Sequence, residues 1–205
     1  MRQGAFLHDP IVEARGADKH RIVCATGPSY QECLELVDKA AAAVAQSKAF
    51  VLLVNFHPLT TDVFRAGIRR FIESRHRPAA NIEFTGRSIR ELLDEGASAV
   101  LYADTNSGFE SASAGARTIN VTRDTGLAYD KLPDGLSRRV GTAAEIRLAL
   151  AEVEDDSCWP TEKETQKILG DCFTKVDIPA IMSAAGLDAT PKYETINQSN
   201  DTVQP

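Results

Sequence analysis

The stretch Thr105-Asn106-Ser107-Gly108-Phe109-Glu110 joins a buried-strand pattern to a helix pattern and carries residue types that bind phosphate. Gly108 permits close backbone approach, and the free N–H groups that open a helix donate to phosphate oxygens. Glu110 falls in the first helical turn, where the helix dipole favours its charge, so an ordinary N-terminal helix acid explains it as well as a ligand contact does. His57-Pro58 follows a continuous apolar run, and a histidine there can offer an imidazole to an anion. The competing reading is a loop histidine satisfied by backbone, with Pro58 stopping the strand. The turn Thr26-Gly27-Pro28-Ser29 stands at another strand-to-helix junction and is a weaker anion cradle of the same kind. Arg87 and the pair Arg69-Arg70 add positive charge, although arginines on exposed helix faces are usually solvated. Neither a dinucleotide fingerprint, a phosphate-binding P-loop nor a nucleophile elbow is present, and no histidine–carboxylate spacing points to a metal.

These junctions need a scaffold of alternating strands and helices, and the chain supplies one. Apolar runs RIVCA (from Arg21), FVLLVN (from Phe50), NIEF (from Asn81), ASAVLY (from Ala97) and RTINV (from Arg117) read as strands, with Val140 closing the sheet. FVLLVN is apolar on both faces, as a strand inside a parallel sheet must be. Helices are expected from Ser29, with Glu32 as a capping-box partner, and from Thr61 or Asp62. Others are expected from Ser88 with Glu91, in FESASAG after the 105–108 loop, and from Thr142. Asp155 to Pro160 reads as a linker that Trp159 pins to the body, followed by helices over 162–173 and 178–185 and a polar tail. The fold expected is α/β, a Rossmann-like open parallel sheet of about six strands with helices on both faces, plus C-terminal helices. The expected organisation is a leader over 1–19, the sheet domain over 20–154, helices packing back on it over 155–187, and a disordered tail over 188–205.

The composition excludes several classes. With 205 residues, 43% hydrophobic and 25% charged, the chain has ordinary globular make-up and enough length for one core. No apolar run approaches the roughly 20 residues of a membrane span, and no secretory signal opens the sequence. The net charge of −6 argues against nucleic acid as the main partner. Cys24, Cys33, Cys158 and Cys172 lack zinc-site spacing and read as reduced thiols of a cytoplasmic protein.

Taken in order, these segments resemble the C-terminal, nucleotide-sugar-binding half of GT-B glycosyltransferases. Leu92-Leu93-Asp94-Glu95-Gly96-Ala97-Ser98-Ala99-Val100 resembles a helix-and-strand segment of that family, and Ser107 to Gly115 resembles its donor signature, with Ser111 where alanine is common. His57-Pro58 after a buried strand resembles bacterial capsule, polysialic-acid and teichoic-acid polymer transferases. The likeness spans about residues 20–153. It implies that Glu110 meets the donor ribose, and that Ser107 and Gly108, with the helix-start amides around Asn106, hold the phosphates. It further implies that His57 is the catalytic residue, stabilising the leaving nucleotide, and that Phe84-Thr85 frames the base. Thr26, Gly27 and Arg87 are the remaining binding candidates.

The implied donor is a UDP-, CMP-, CDP- or GDP-linked sugar or polyol, used as substrate, with no tightly bound cofactor and no metal. Gly4 to Pro10 resembles the hinge that ends the family's N-terminal half, so His8 and Asp9 read as hinge residues. The expectation is a half-enzyme, either a fragment or one subunit of a split transferase. A missing half or separate subunit would supply the glycan or lipid-linked acceptor and any contact with the inner face of the membrane. Alternatives are a half-domain like UDP-sugar 2-epimerases and a non-catalytic nucleotide- or partner-binding module.

Overall fold

A computed structural model of the chain describes residues 18–172 apart from 46, 48, 77–80, 105, 125–129 and 154. Six strands form one sheet: β1 (Asp18–Ala25), β2 (Val51–Asn55), β3 (Ile82–Thr85), β4 (Ala97–Tyr102), β5 (Arg117–Val121) and β6 (Ser137–Val140). Their order is β3-β2-β1-β4-β5-β6 and every pairing is parallel. Cys24 stands opposite Val54 on one side and Leu101 on the other, and Leu101 in turn opposite Ile119. One sheet face therefore presents Ile22, Cys24, Leu52, Val54, Ala99, Leu101, Ile119 and Val121 to a single apolar core. The expected α/β, Rossmann-like sheet is the fold observed.

Helices α1 (Tyr30–Val44), α2 (Asp62–Arg75) and α5 (Ala143–Glu152) cover that face, with α1 packed against both others. α3 (Ile89–Asp94) and α4 (Ser107–Ser113) pack together elsewhere, and α6 (Glu162–Cys172) rests on α4. Gly96, at φ 96°, makes the left-handed turn from α3 into β4. The capping box of Ser88 and Glu91 forms, Thr142 caps α5 with Glu145 as its reciprocal partner, and Thr61 caps α2. Helix α1 departs from expectation. Ser29 holds the N-cap position without a side-chain cap bond, and Glu32 pairs instead with Arg123 at 2.8 Å. A charge on the loop after β5 thus outcompetes a local backbone bond. Helix α4 begins at Ser107, two residues earlier than its sequence pattern suggested, and the helix expected over 178–185 lies outside the described residues.

Trp159 does pin the segment after α5. It is 7% exposed, its indole N–H donates to the Glu152 carbonyl at 2.9 Å, and the Arg138 guanidinium lies over its ring at 5.5 Å. Replacing Trp159 by Ala removes that packing and should lower unfolding free energy by about 3 kcal/mol, read as a fall in the urea midpoint. Cys24 and Cys33 are wholly buried; burial pushes the Cys33 thiol up to about 11 and that of Cys24 well above its usual value. Both should resist aromatic-disulfide reagents until denaturant is added. Prompt labelling of either in the native protein would contradict their place in the core.

Candidate functional site

The strand order sets β1 beside β4, two neighbouring strands that lead into different helix layers and whose connections run to opposite ends of the sheet. β1 and β4 lie side by side, yet β1 leads into α1, which packs on α2 and α5, while β4 leads into α4, which packs on α3 and α6. Loops that part in this way open a crevice at the carboxyl edge of the sheet, where open α/β sheets hold ligands. Thr26 and Gly27 leave β1 there, and Asn106 to Glu110 follow β4.

His57, just beyond β2, is joined to that crevice by hydrogen bonds. The Thr26 N–H donates to the Asn55 carbonyl at 3.0 Å, and the His57 N–H donates to Thr26 Oγ1 at 3.1 Å. Thr26 is 3% exposed, so this link is shielded from water. The Leu59 N–H donates to His57 Nδ1 at 3.2 Å. A ring nitrogen that accepts carries no proton, so the neutral imidazole bears its hydrogen on Nε2. Thr60 donates through both N–H and Oγ1 to the His57 carbonyl, at 2.9 and 2.7 Å, and Arg65 Nε donates to Thr60 Oγ1 at 3.1 Å. The half-buried ring is thereby held with Nε2–H as a donor. Such a group can stabilise negative charge that develops on an oxygen.

The start of α4 is built around a missing side chain. A Cβ on Gly108 would stand 2.8 Å from the Tyr102 ring and 3.1 Å from Leu132. Tyr102, the last residue of β4, is 1% exposed and donates from its hydroxyl to Asp130 at 2.7 Å. Burial and that carboxylate raise the phenol well above its usual range. Asp130 also accepts from the Leu132 N–H at 3.0 Å and from the Ser137 hydroxyl, with Arg139 Nε at 3.5 Å. Gly108 therefore admits Tyr102 beneath the helix, an internal reason for the close approach that the sequence reading assigned to a ligand. Asn106 is exposed at the N-cap position without a side-chain cap bond. Ser107 is half-buried and its carbonyl accepts from Ser111 Oγ at 2.6 Å, while Glu110 is exposed in the first turn. Thr105 lies outside the described residues.

The residues after β3 are largely occupied with one another. Phe84 stacks on Phe56 with centroids 5.9 Å apart, and Thr85 Oγ1 accepts from Arg87 N–H and Nε at 3.1 and 3.3 Å. The Arg87 guanidinium pairs with Glu95, which Arg21 also meets at 3.2 Å; these bonds, Arg87's first, hold the Glu95 carboxyl below its usual range. The Asn55 amide donates to the Arg87 carbonyl, tying this loop to the end of β2. Arg87 thus meets a carboxylate within the protein. All ten sequence-selected residues lie at one sheet edge, in the spatial order β3, β2, β1, β4; among them one hydrogen bond joins His57 to Thr26 and two join Arg87 to Thr85.

Sequence reasoning passed over Asn55, Tyr102 and Asp130, which position these loops. The usable signal was a polar or hydroxylated residue closing an otherwise apolar strand. Among the described residues no group of three or more His, Cys, Asp or Glu side chains could hold a metal ion, and no helix is long and apolar enough to cross a membrane.

No family model matches the sequence, and no curated protein matches it. Solved structures do share the fold. A glycosyltransferase from Rickettsia africae is 12% identical with a TM-score of 0.56, over 75% of this chain and 43% of that one. Anabaena HepE, crystallised with UDP-glucose, is 13% identical with a TM-score of 0.56, over 80% and 48%. The calicheamicin glycosyltransferase CalG4 is 16% identical with a TM-score of 0.54, over 92% and 47%. The chain thus has the fold of part of these glycosyltransferases and spans less than half of their length.

Because the Tyr102 ring is fixed at its hydroxyl and along its edge, Gly108→Ala should overpack this junction. The expected loss of unfolding free energy is about 1–3 kcal/mol, read from chemical denaturation. A neutral result would show that the ring yields and that the close approach is not required.

Proposed function

We propose that this chain is the donor-binding half of a GT-B glycosyltransferase that takes a nucleotide-activated sugar or polyol. The observation that carries the reading is the junction of β1 and β4, on a fold shared with glycosyltransferases, with His57 hydrogen-bonded to Thr26 at its rim and its Nδ1 occupied by the Leu59 N–H. Fold likeness by itself assigns no activity; the residues at the crevice give the reading its chemistry.

In this reading the amides from Asn106 to Gly108 and the Thr26-Gly27 turn hold the diphosphate, and Glu110 accepts hydrogen bonds from ribose hydroxyls. Backbone around Phe84-Thr85 frames the base, and Arg87 acts through the loop it stabilises. During transfer of a sugar, the bond between the anomeric carbon and the donor phosphate oxygen breaks, and the oxygen keeps the electron pair. His57 Nε2–H donates to the departing phosphate, an electrostatic contribution that grows as charge develops. The acceptor oxygen forms the new bond, and its proton passes to a base that another half or subunit supplies. The substrate class we infer is that of surface-polysaccharide synthesis, of the capsule or teichoic-acid kind, on the cytoplasmic side of the membrane with a glycan or lipid-linked acceptor. The binding of UDP-glucose by HepE supports a UDP-sugar as the first donor to try.

Calorimetric titration of the full chain with UDP, CMP, GDP and their sugar conjugates tests this. One of them should bind at millimolar concentration or below. His57→Ala and Glu110→Ala should each weaken it about tenfold, the loss of one charge-assisted hydrogen bond, without moving the melting temperature. Absence of binding by every nucleotide at millimolar concentration would refute the donor-binding reading.

A further inference from the structure

Arginines in this acidic protein are mostly neutralised by carboxylates. Arg21 and Arg87 meet Glu95, Arg75 meets Asp38, Arg117 meets Asp156, Arg123 meets Glu32, Arg138 meets Glu152, and Arg139 meets Asp130 and Asp134. Arg65 and Arg69 are different. Among the described residues neither forms an ion pair; instead the Arg65 guanidinium lies 5.9 Å from the Phe56 centroid and that of Arg69 lies 5.0 Å from the Phe84 centroid. Arg75 and Arg138 also lie over rings, but each has its carboxylate as well. Among the described residues Arg70 and Arg90 have neither an ion pair nor a ring to hold them.

The two rings are themselves stacked, 5.9 Å apart with planes within 12°. Arg65 and Arg69 stand four residues apart on α2, on adjacent turns of one helix face, where like charges repel. Asp62, on the preceding turn, pairs with neither. Two guanidiniums of one helix face thus lie over the two rings of one stacked aromatic pair. A guanidinium stacked on a ring keeps its in-plane N–H donors available, the arrangement that grips phosphate or carboxylate oxygens in pairs. Among the described residues Arg65 commits only Nε, to Thr60, whose hydroxyl bonds the His57 carbonyl. The platform is therefore mechanically connected to the histidine of the crevice.

We propose that Arg65 and Arg69, set on the stacked Phe56 and Phe84 rings, form a binding subsite for an oxyanion group, a phosphate or carboxylate, separate from the donor crevice. The oxyanion bridges both guanidiniums and relieves their repulsion. It is either part of a free small molecule or the headgroup of an anionic lipid. The exposure of Leu59 (78%) and Val63 (84%) near the start of α2 makes the second source worth its own arm. The subsite extends the donor-binding reading but does not require it.

The test uses the full chain and inorganic phosphate, titrated by NMR with and without saturating UDP at constant ionic strength. Phosphate should shift the Arg65 and Arg69 side-chain resonances. Its affinity should fall about threefold to tenfold in Arg65→Gln and Arg69→Gln, and should be unchanged by UDP. UDP affinity should stay within twofold in Arg69→Gln, since among the described residues Arg69 has no bond to the His57 loop. Arg69→Lys, which keeps the charge without the fork, should be intermediate and guards against a folding defect, checked by melting temperature. In the second arm, flotation with phosphatidylglycerol vesicles but not phosphatidylcholine vesicles, lost in the glutamine variants, would identify a lipid headgroup as the source. Phosphate binding that is indifferent to these substitutions, or that UDP abolishes, would overturn the subsite, as would absence of binding in both arms. Failure of UDP, CMP and GDP alike to bind while phosphate binds through the arginines would refute the donor reading and leave this one standing.

Discussion

Tyr102 closes β4 with a ring that water does not reach, and its hydroxyl must find a partner inside the protein. Asp130 is that partner, and a buried carboxylate is tolerable only when its own lone pairs are satisfied. Ser137, the Leu132 N–H and Arg139 satisfy it, so one phenol fixes the path from Asp130 to β6. The same ring leaves no room for a side chain at the second position of α4, which makes residue 108 a glycine and sets where the helix begins. The loop that follows β4 is therefore shaped from below, by packing, before any ligand arrives.

The opposite flank of the crevice is shaped by hydrogen bonds along the sheet edge. Thr26, Asn55 and His57 connect the exits of β1 and β2, and Asn55 extends the chain to the loop after β3 through the Arg87 carbonyl. Exposed ion pairs contribute little stability individually, commonly below about 1 kcal/mol. Their value here is positional. Arg123 on Glu32, and Lys39 on Glu35 and Asp124, hold the loop after β5 against α1, and Arg117 and Arg138 hold the segment carrying Trp159. The arginines on the Phe56–Phe84 platform stand apart from this pattern.

The architecture was legible because buried parallel strands leave near-continuous apolar runs. FVLLVN and ASAVLY need no partner to be recognised, and the Ser88–Glu91 box is a contact over three residues. What could not be read depended on residues distant in sequence. Glu32 leaves its expected capping role for Arg123, 91 residues away. The packing reason for Gly108 was hidden because its close neighbour, Tyr102, belongs to the preceding strand. Arg87 looked available because Glu95 meets it only after α3 folds back. His57 and Thr26 were each visible alone, but their bond follows from the pairing of β1 with β2, which periodicity does not encode.

The central claim is one of location: the ligand enters where β1 and β4 send the chain to opposite faces of the sheet. Amide hydrogen exchange on the full chain, with and without saturating UDP, reads this directly. The account predicts slowed exchange at residues 26–30, 57–60 and 106–110, with the far edge of the sheet around Phe50 and Asn81 unchanged. Protection confined to that far edge, with the three loops at the carboxyl edge unaffected, would contradict it.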